Sequence, residues 1–194
     1  KEIIGNLLEY GAKSQIYANY RTDALVTDAV KAEGVEYTAV SYINKSVKVI
    51  DKTEAVEGGV TLTTKSLVLN NSVAVRVYFT LDSGVSKTKV RINASVIQDG
   101  EVIRSQNFSG SAIKYDSANK RYYIEYNGIM ATEFDNEIVF TSYVSGVQND
   151  VLHYNVNNYL KAQYEKLNSG TNTDLKNLID AVFSYAYTCD HFNK

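Results

Sequence analysis

Residues 73–97 read VAVRVYFTLDSGVSKTKVRINASVI, and the alternation inside that stretch decides the fold. Val73, Val75, Val77, Phe79 and Leu81 fall on one side of an extended chain; Ala74, Arg76, Tyr78 and Thr80 fall on the other. Val90, Ile92, Ala94 and Val96 then alternate with Lys89, Arg91, Asn93 and Ser95. Successive side chains of a strand point to opposite faces, so a period of two predicts half-buried strands over 73–81 and 89–97.

Working outward, Asp99-Gly100 supplies the positive φ of a tight hairpin and predicts a partner strand over 102–108. Asp116-Ser117-Ala118-Asn119 marks a second turn between 111–115 and 121–127, where Tyr122, Ile124 and Tyr126 share a face. Residues 137–147, EIVFTSYVSGV, read as one further strand, with weaker strands at 36–50 and 60–69. Short strands with frequent turn signals and no helical pattern between them predict an antiparallel sandwich rather than βαβ units. Ile129, Ala131 and Phe134, ahead of the 137–147 strand, look like the crossover corner of an immunoglobulin-like or fibronectin-like sandwich.

Both ends switch to a period of 3.6. Residues 3–20 carry apolar or small side chains at 4, 7, 8, 11 and 12. Residues 154–167 place Val156, Tyr159, Leu160, Tyr164 and Leu167 on one side, and His153 reads as the polar start of that helix. Asn172 or Thr173 can cap a last helix whose buried stripe is Leu175, Leu178, Ile179, Val182, Phe183 and Ala186. The predicted architecture is α+β in a single module, 1–194. An N-terminal helical segment (1–33) and a C-terminal helical hairpin (152–194) flank an antiparallel immunoglobulin-like β-sandwich (34–151).

The two terminal helices resemble each other. Shifted by 175 positions, Tyr10 falls on Tyr185, Ile4 on Ile179, Leu7 on Val182, Leu8 on Phe183, Gly11 on Ala186 and Tyr17 on Phe192. Similarity at the spacing of a whole domain is the mark of a unit from a tandem array.

The run Leu7-Leu8-Glu9-Tyr10-Gly11-Ala12-Lys13-Ser14-Gln15-Ile16-Tyr17-Ala18-Asn19-Tyr20, followed by Thr22-Asp23 and Leu25, resembles a motif of repeated modules in large surface proteins of gut Clostridia and Ruminococcus-like Firmicutes. Lys65 to Leu69 with Val75 to Phe79 is similar to the start of their sandwich, and Tyr154, Val156 and Tyr159 to their penultimate helix. Lys13-Ser14 stands where the motif has a small pair, and Ala18 where it has Phe. The resemblance implies an exported, bacterial cell-surface module and supplies no catalytic residue. Lys1 is not an initiating residue, which agrees with a leader removed from an exported protein.

Composition narrows the chemistry. The net charge of −2 comes from interspersed charges, with no basic block to neutralise a phosphate backbone, so nucleic acid is not expected as a partner. No apolar run approaches the roughly 20 residues that cross a bilayer, so no membrane insertion is expected. Cys189 is the single cysteine and cannot form an internal disulfide. His153 and His191 are the only histidines, and no Gly-x-Ser-x-Gly elbow accompanies them. The acidic clusters, from Asp82 through Glu133-Asp135-Glu137 to Asp150, read as turn residues, and none has calcium-loop spacing. No phosphate-cradling glycine loop is present, and no Trp offers a sugar platform. No enzyme activity, cofactor or metal is expected.

The 16 tyrosines carry the remaining signal. Tyr78, Tyr123 and Tyr143 fall opposite the apolar stripe, beside Arg76 and Arg91; an outward Tyr is a good β-former and also a rigid contact for a protein partner. Arg76, Tyr78, Arg91, Tyr123 and Tyr143 are the candidate ligand-binding residues. The expected function is non-catalytic recognition of a host extracellular protein, with immunoglobulin as one concrete partner in an adhesive, superantigen-like role. A carbohydrate-binding module using Tyr122, Tyr123 or Tyr126 is the alternative, and a structural spacer docking neighbouring repeats is the third reading.

Overall fold

The computed structural model describes residues 2–26, 53–55, 59–69, 72–167 and 172–192. The strand expected over 36–50 lies outside the described residues. Three α-helices and nine strands are described: α1 (Glu2–Tyr17), β1 (Thr53–Ala55), β2 (Val60–Leu69), β3 (Val73–Leu81), β4 (Val90–Gln98), β5 (Glu101–Ser109), β6 (Lys114–Asp116), β7 (Arg121–Ile129), β8 (Glu137–Val144), β9 (Val147–Tyr154), α2 (Val156–Leu167) and α3 (Thr173–Phe192). The class is α+β, with an antiparallel β-sandwich. Two compact units divide the chain: the strands form one (49–130 and 135–156), and the helices with the Ala131–Phe134 segment form the other (1–48, 131–134 and 157–194).

In the strand unit the sheets run β1-β9-β8-β4-β5 and β2-β3-β7-β6, every pairing antiparallel. The alternating residues build the core as the pattern requires. Val75, Val77, Phe79, Ile124 and Tyr126 from one sheet, and Ile92, Ala94, Val96, Ile138 and Phe140 from the other, are buried. The Val, Ile and Phe side chains among them each contribute about 1.5–3 kcal/mol on burial. Tyr126 meets Phe140 and Phe108 of the facing sheet edge-on, with centroids 6.3 and 6.4 Å away. Its hydroxyl does not stay bare in the apolar layer: Arg104 Nε donates to it at 2.6 Å.

Three expectations need correction here. The 137–147 segment is not one strand: Ser145 (φ 51°) and Gly146 (φ 87°) turn the chain, with Val144 opposite Val147. β9 then occupies 147–154, so His153 lies in a strand and not at a helix start. Asp150 and Glu137 are likewise strand residues rather than turn residues. Asp150 is buried and accepts from the N–H of Leu62 at 2.8 Å and of Val151 at 2.9 Å. Asn149 Oδ1 accepts from the N–H of Val60. These side chains satisfy two donors at the start of the edge strand β2 that no strand pairs.

In the helical unit, α3 packs along α1 and on the 3₁₀ turn Ala131–Glu133. Leu178, Ile179, Val182, Phe183 and Ala186 are buried as expected. Asn172 Oδ1 caps α3 by accepting from the Leu175 N–H at 3.1 Å. Tyr10 stacks on Tyr185 at 6.2 Å with rings 9° from parallel, so the residues that register the two ends of the sequence meet in space. Asn6 Nδ2 reaches the Ser184 carbonyl and Thr188 Oγ1, each at 3.4 Å. α2 touches α3 through Lys176 Nζ, 5.0 Å from the Tyr164 ring centroid. Tyr17, aligned with Phe192 by the same shift, is exposed as Phe192 is.

Candidate functional site

The five candidate residues do not form one site. Arg76, Tyr78 and Tyr123 stand on the outer face of β2-β3-β7-β6, whereas Arg91 and Tyr143 stand on the outer face of the other sheet.

On the first face, register sets the geometry: Arg76 lies opposite Glu125, and Tyr78 opposite Tyr123. Arg76 donates to Glu125 Oε2 from Nη2 at 2.6 Å and from Nε at 3.1 Å, and its guanidinium lies 4.8 Å from the Tyr123 centroid. The Glu125 carboxylate holds the Arg76 pKa above its usual value, burial opposing it. Tyr123 and Tyr78 rings sit 5.7 Å apart, tilted by 45°. The Arg121 guanidinium lies over the Tyr78 ring, 3.6 Å from its centroid, and donates to Asp116 at 3.2 Å and to Thr64 Oγ1 at 2.9 Å. Asp116 is itself held below the usual carboxylate range, first by the Asn119 side chain and then by Arg121. The result is a ladder in which two ion pairs bracket a pair of rings: Glu125, Arg76, Tyr123, Tyr78, Arg121, Asp116. Each cation–π rung contributes about 0.5–1 kcal/mol at a partly exposed site. Arg121 and Glu125 were not among the sequence candidates. The signal was present, because residues 121, 123 and 125 share one face of a strand.

On the second face, the Arg91 guanidinium lies 4.0 Å from the Tyr143 centroid and donates to Asn107 Oδ1 at 2.8 Å. Asn93 Nδ2 donates to Ser105 Oγ at 2.9 Å and to Asn107 Oδ1 at 3.1 Å, while Ser95 donates to Asn93 at 2.7 Å. Here a hydrogen-bonded amide and hydroxyl network lies beside the Tyr143 ring.

Of the tyrosines read as sugar platforms, Tyr126 is buried, and Tyr122 stacks on Phe79 at 5.8 Å and against Tyr115 at 4.9 Å. Only Tyr123 keeps an outward ring. His153 Nδ1 pairs with Glu137 Oε1. His191 stacks on Tyr187 and hydrogen-bonds its carbonyl at 2.8 Å through Nδ1, which therefore carries the proton. Cys189 is half-buried. Among the described residues, no three His, Cys, Asp or Glu side chains converge to hold a metal, and no helix is long and apolar enough to cross a membrane.

The fold and surface define a class: a two-sheet antiparallel sandwich with a helical unit, carrying an Arg–Tyr ladder on one outer face. No protein-family model matches the chain, and no curated protein or solved structure matches it significantly.

Proposed function

We propose that this chain is a non-catalytic recognition module of an extracellular bacterial surface protein, and that it binds a host protein through the outer face of β2-β3-β7-β6. The observation that carries this reading is the Arg76–Tyr123–Tyr78–Arg121 ladder. Its rings and guanidinium planes hold one another in place across the sheet. Tyr and Arg are the residues on which protein interfaces concentrate their energy, and rings that are already fixed lose little entropy on binding. Immunoglobulin is the first partner to test, given the gut-surface habitat that the motif resemblance implies.

The strand orders support an immunoglobulin-like connectivity. With β2 to β9 taken as eight successive strands A, B, C, C′, D, E, F and G, the sheets read A-B-E-D and G-F-C-C′. β1 then adds to the edge of G. A sugar-binding reading draws less support, because two of its three stacking groups are turned inward or covered.

The test is capture from intestinal secretions, followed by affinity measurement with purified immunoglobulin. Two variants are compared with the parent, Arg76→Ala/Tyr78→Ala/Tyr123→Ala and Arg91→Ala/Tyr143→Ala. The first should lose about 30-fold or more in affinity, the scale of an interface hot spot, while the second binds as the parent does. Equal binding by all three proteins removes the ladder from the reading. Silence toward both secretions and immunoglobulin removes the host-protein reading itself.

A further inference from the structure

The shift of 175 residues that matches α1 to α3 pairs positions with opposite environments. Ile179 and Val182 of α3 are each 2% exposed, whereas their counterparts Ile4 and Leu7 of α1 are 60% and 44% exposed. Phe183 and Ala186 are buried, whereas their counterparts Leu8 and Gly11 are only half-buried. The side-chain contacts that tie α1 to α3 lie on another side of the helix. Asn6 and Tyr10 make them, roughly 130° around the helix from the mean of positions 4, 7, 8 and 11 at 100° per residue. Val26 lies against Gly11, where an added Cβ would come within 2.9 Å of it, but Ile4 and Leu7, further toward the N-terminus, stay uncovered. α1 thus repeats the apolar face of α3 without the seat that α3 has on the turn Ala131–Glu133.

We propose that the Ile4–Leu7–Leu8 face of α1 is the docking face for another module of the same kind, and that it seats on that module's Ala131–Glu133 turn as α3 does in this chain. The occupant follows from the match itself: a face of matching residues at the same helical spacing takes the same seat. The seat in a separate folded copy is already filled by its own α3, so docking belongs to tandem modules. There one helix would serve as the last of one module and the first of the next. The stack of Tyr10 on Tyr185 would then recur from each junction to the next.

The experiment joins residues 1–175 directly to the full chain 1–194, so that the second α1 falls where the first module's α3 would be. Leu7→Cys in a Cys189→Ala background reports the environment of the face by its rate of maleimide labelling. In the single chain the thiol should label as an exposed group. At the junction of the two-module chain it should label at least about tenfold more slowly, as a site protected against local opening does. Equal rates overturn the proposal. So does a first module that melts below the single chain, since α1 would then have failed to replace α3. As an independent readout, Ile4→Asp/Leu7→Asp should leave the melt of the single chain unchanged but lower that of the first module in the two-module chain. No such difference would also overturn it.

Discussion

Tyr10 and Tyr185 tie chemistry to architecture at the level of single residues. Burial raises both phenol pKa values above the usual 10; Ser14 partly offsets the rise at Tyr10, and Cys189 adds to it at Tyr185. A raised folded-state pKa means that the fold favours the neutral phenol. The stabilisation is therefore complete below the unfolded value, near pH 10, and is lost as pH rises through the folded value. Thermal melts taken from about pH 10 upward should fall for the parent and fall less for Tyr10→Phe/Tyr185→Phe, with tyrosinate absorbance tracking the difference. Parallel pH profiles would mean that the stacked pair does not set the alkaline limit. At the same scale, the outward positions of Arg76, Tyr78 and Tyr123 were legible, because alternation alone assigns a face. The role of Asp150 was not. Its acceptor bond to the Leu62 N–H spans 88 residues, and an isolated Asp in sequence looks like turn chemistry.

Among the elements, the β8–β9 hairpin shows why a strand can be hidden. A clean core-facing strand alternates apolar and polar residues, but β9 reads VQNDVLHY, with Asn149 and Asp150 both buried. The polar pair occupies buried positions because it serves the edge donors of β2, so the strand lacks the period that would announce it. The turn before it was stated by Ser145-Gly146, a breaker pair set inside a run that otherwise alternates. Gly146 has φ 87° and nothing within 4 Å of an added Cβ, so Gly146→Ala isolates the backbone term. That substitution should cost about 1–2 kcal/mol in denaturant unfolding, the penalty for an L side chain in the left-handed region. Gly100→Ala in the β4–β5 hairpin, at φ 88° and equally open, should cost the same. A neutral Gly146→Ala would show that the hairpin can adopt another turn without loss.

Across the whole molecule, the division into strand and helical regions was legible because periods of two and 3.6 occupy different stretches of sequence. Strand order was not, since each sheet joins strands far apart in the chain: β3 pairs with β7, and β4 with β8. That the N-terminal helix docks on the C-terminal hairpin is the simplest arrangement of the three helical stretches, and α1 does pack along α3. That contact bears on what α1 does for the fold. Ala12 is the one buried residue of α1, and Thr188 keeps acceptors at the Ser184 and Tyr185 carbonyls within its own helix. Removing α1 therefore strands no buried polar group on Thr188, and the loss is mainly the apolar cover that Tyr10 and its neighbours give α3. For a chain of this length, an apolar loss of about 2–3 kcal/mol lowers Tm by roughly 4–12 °C. Deletion of residues 1–20 should give a drop of that size, with α3 amides exchanging faster along the Ser184–Thr188 side. An unchanged melt would assign α1 to a neighbouring module rather than to this one. A fall well beyond that range would mean that α3 is not held by its own seat and depends on α1 to fold.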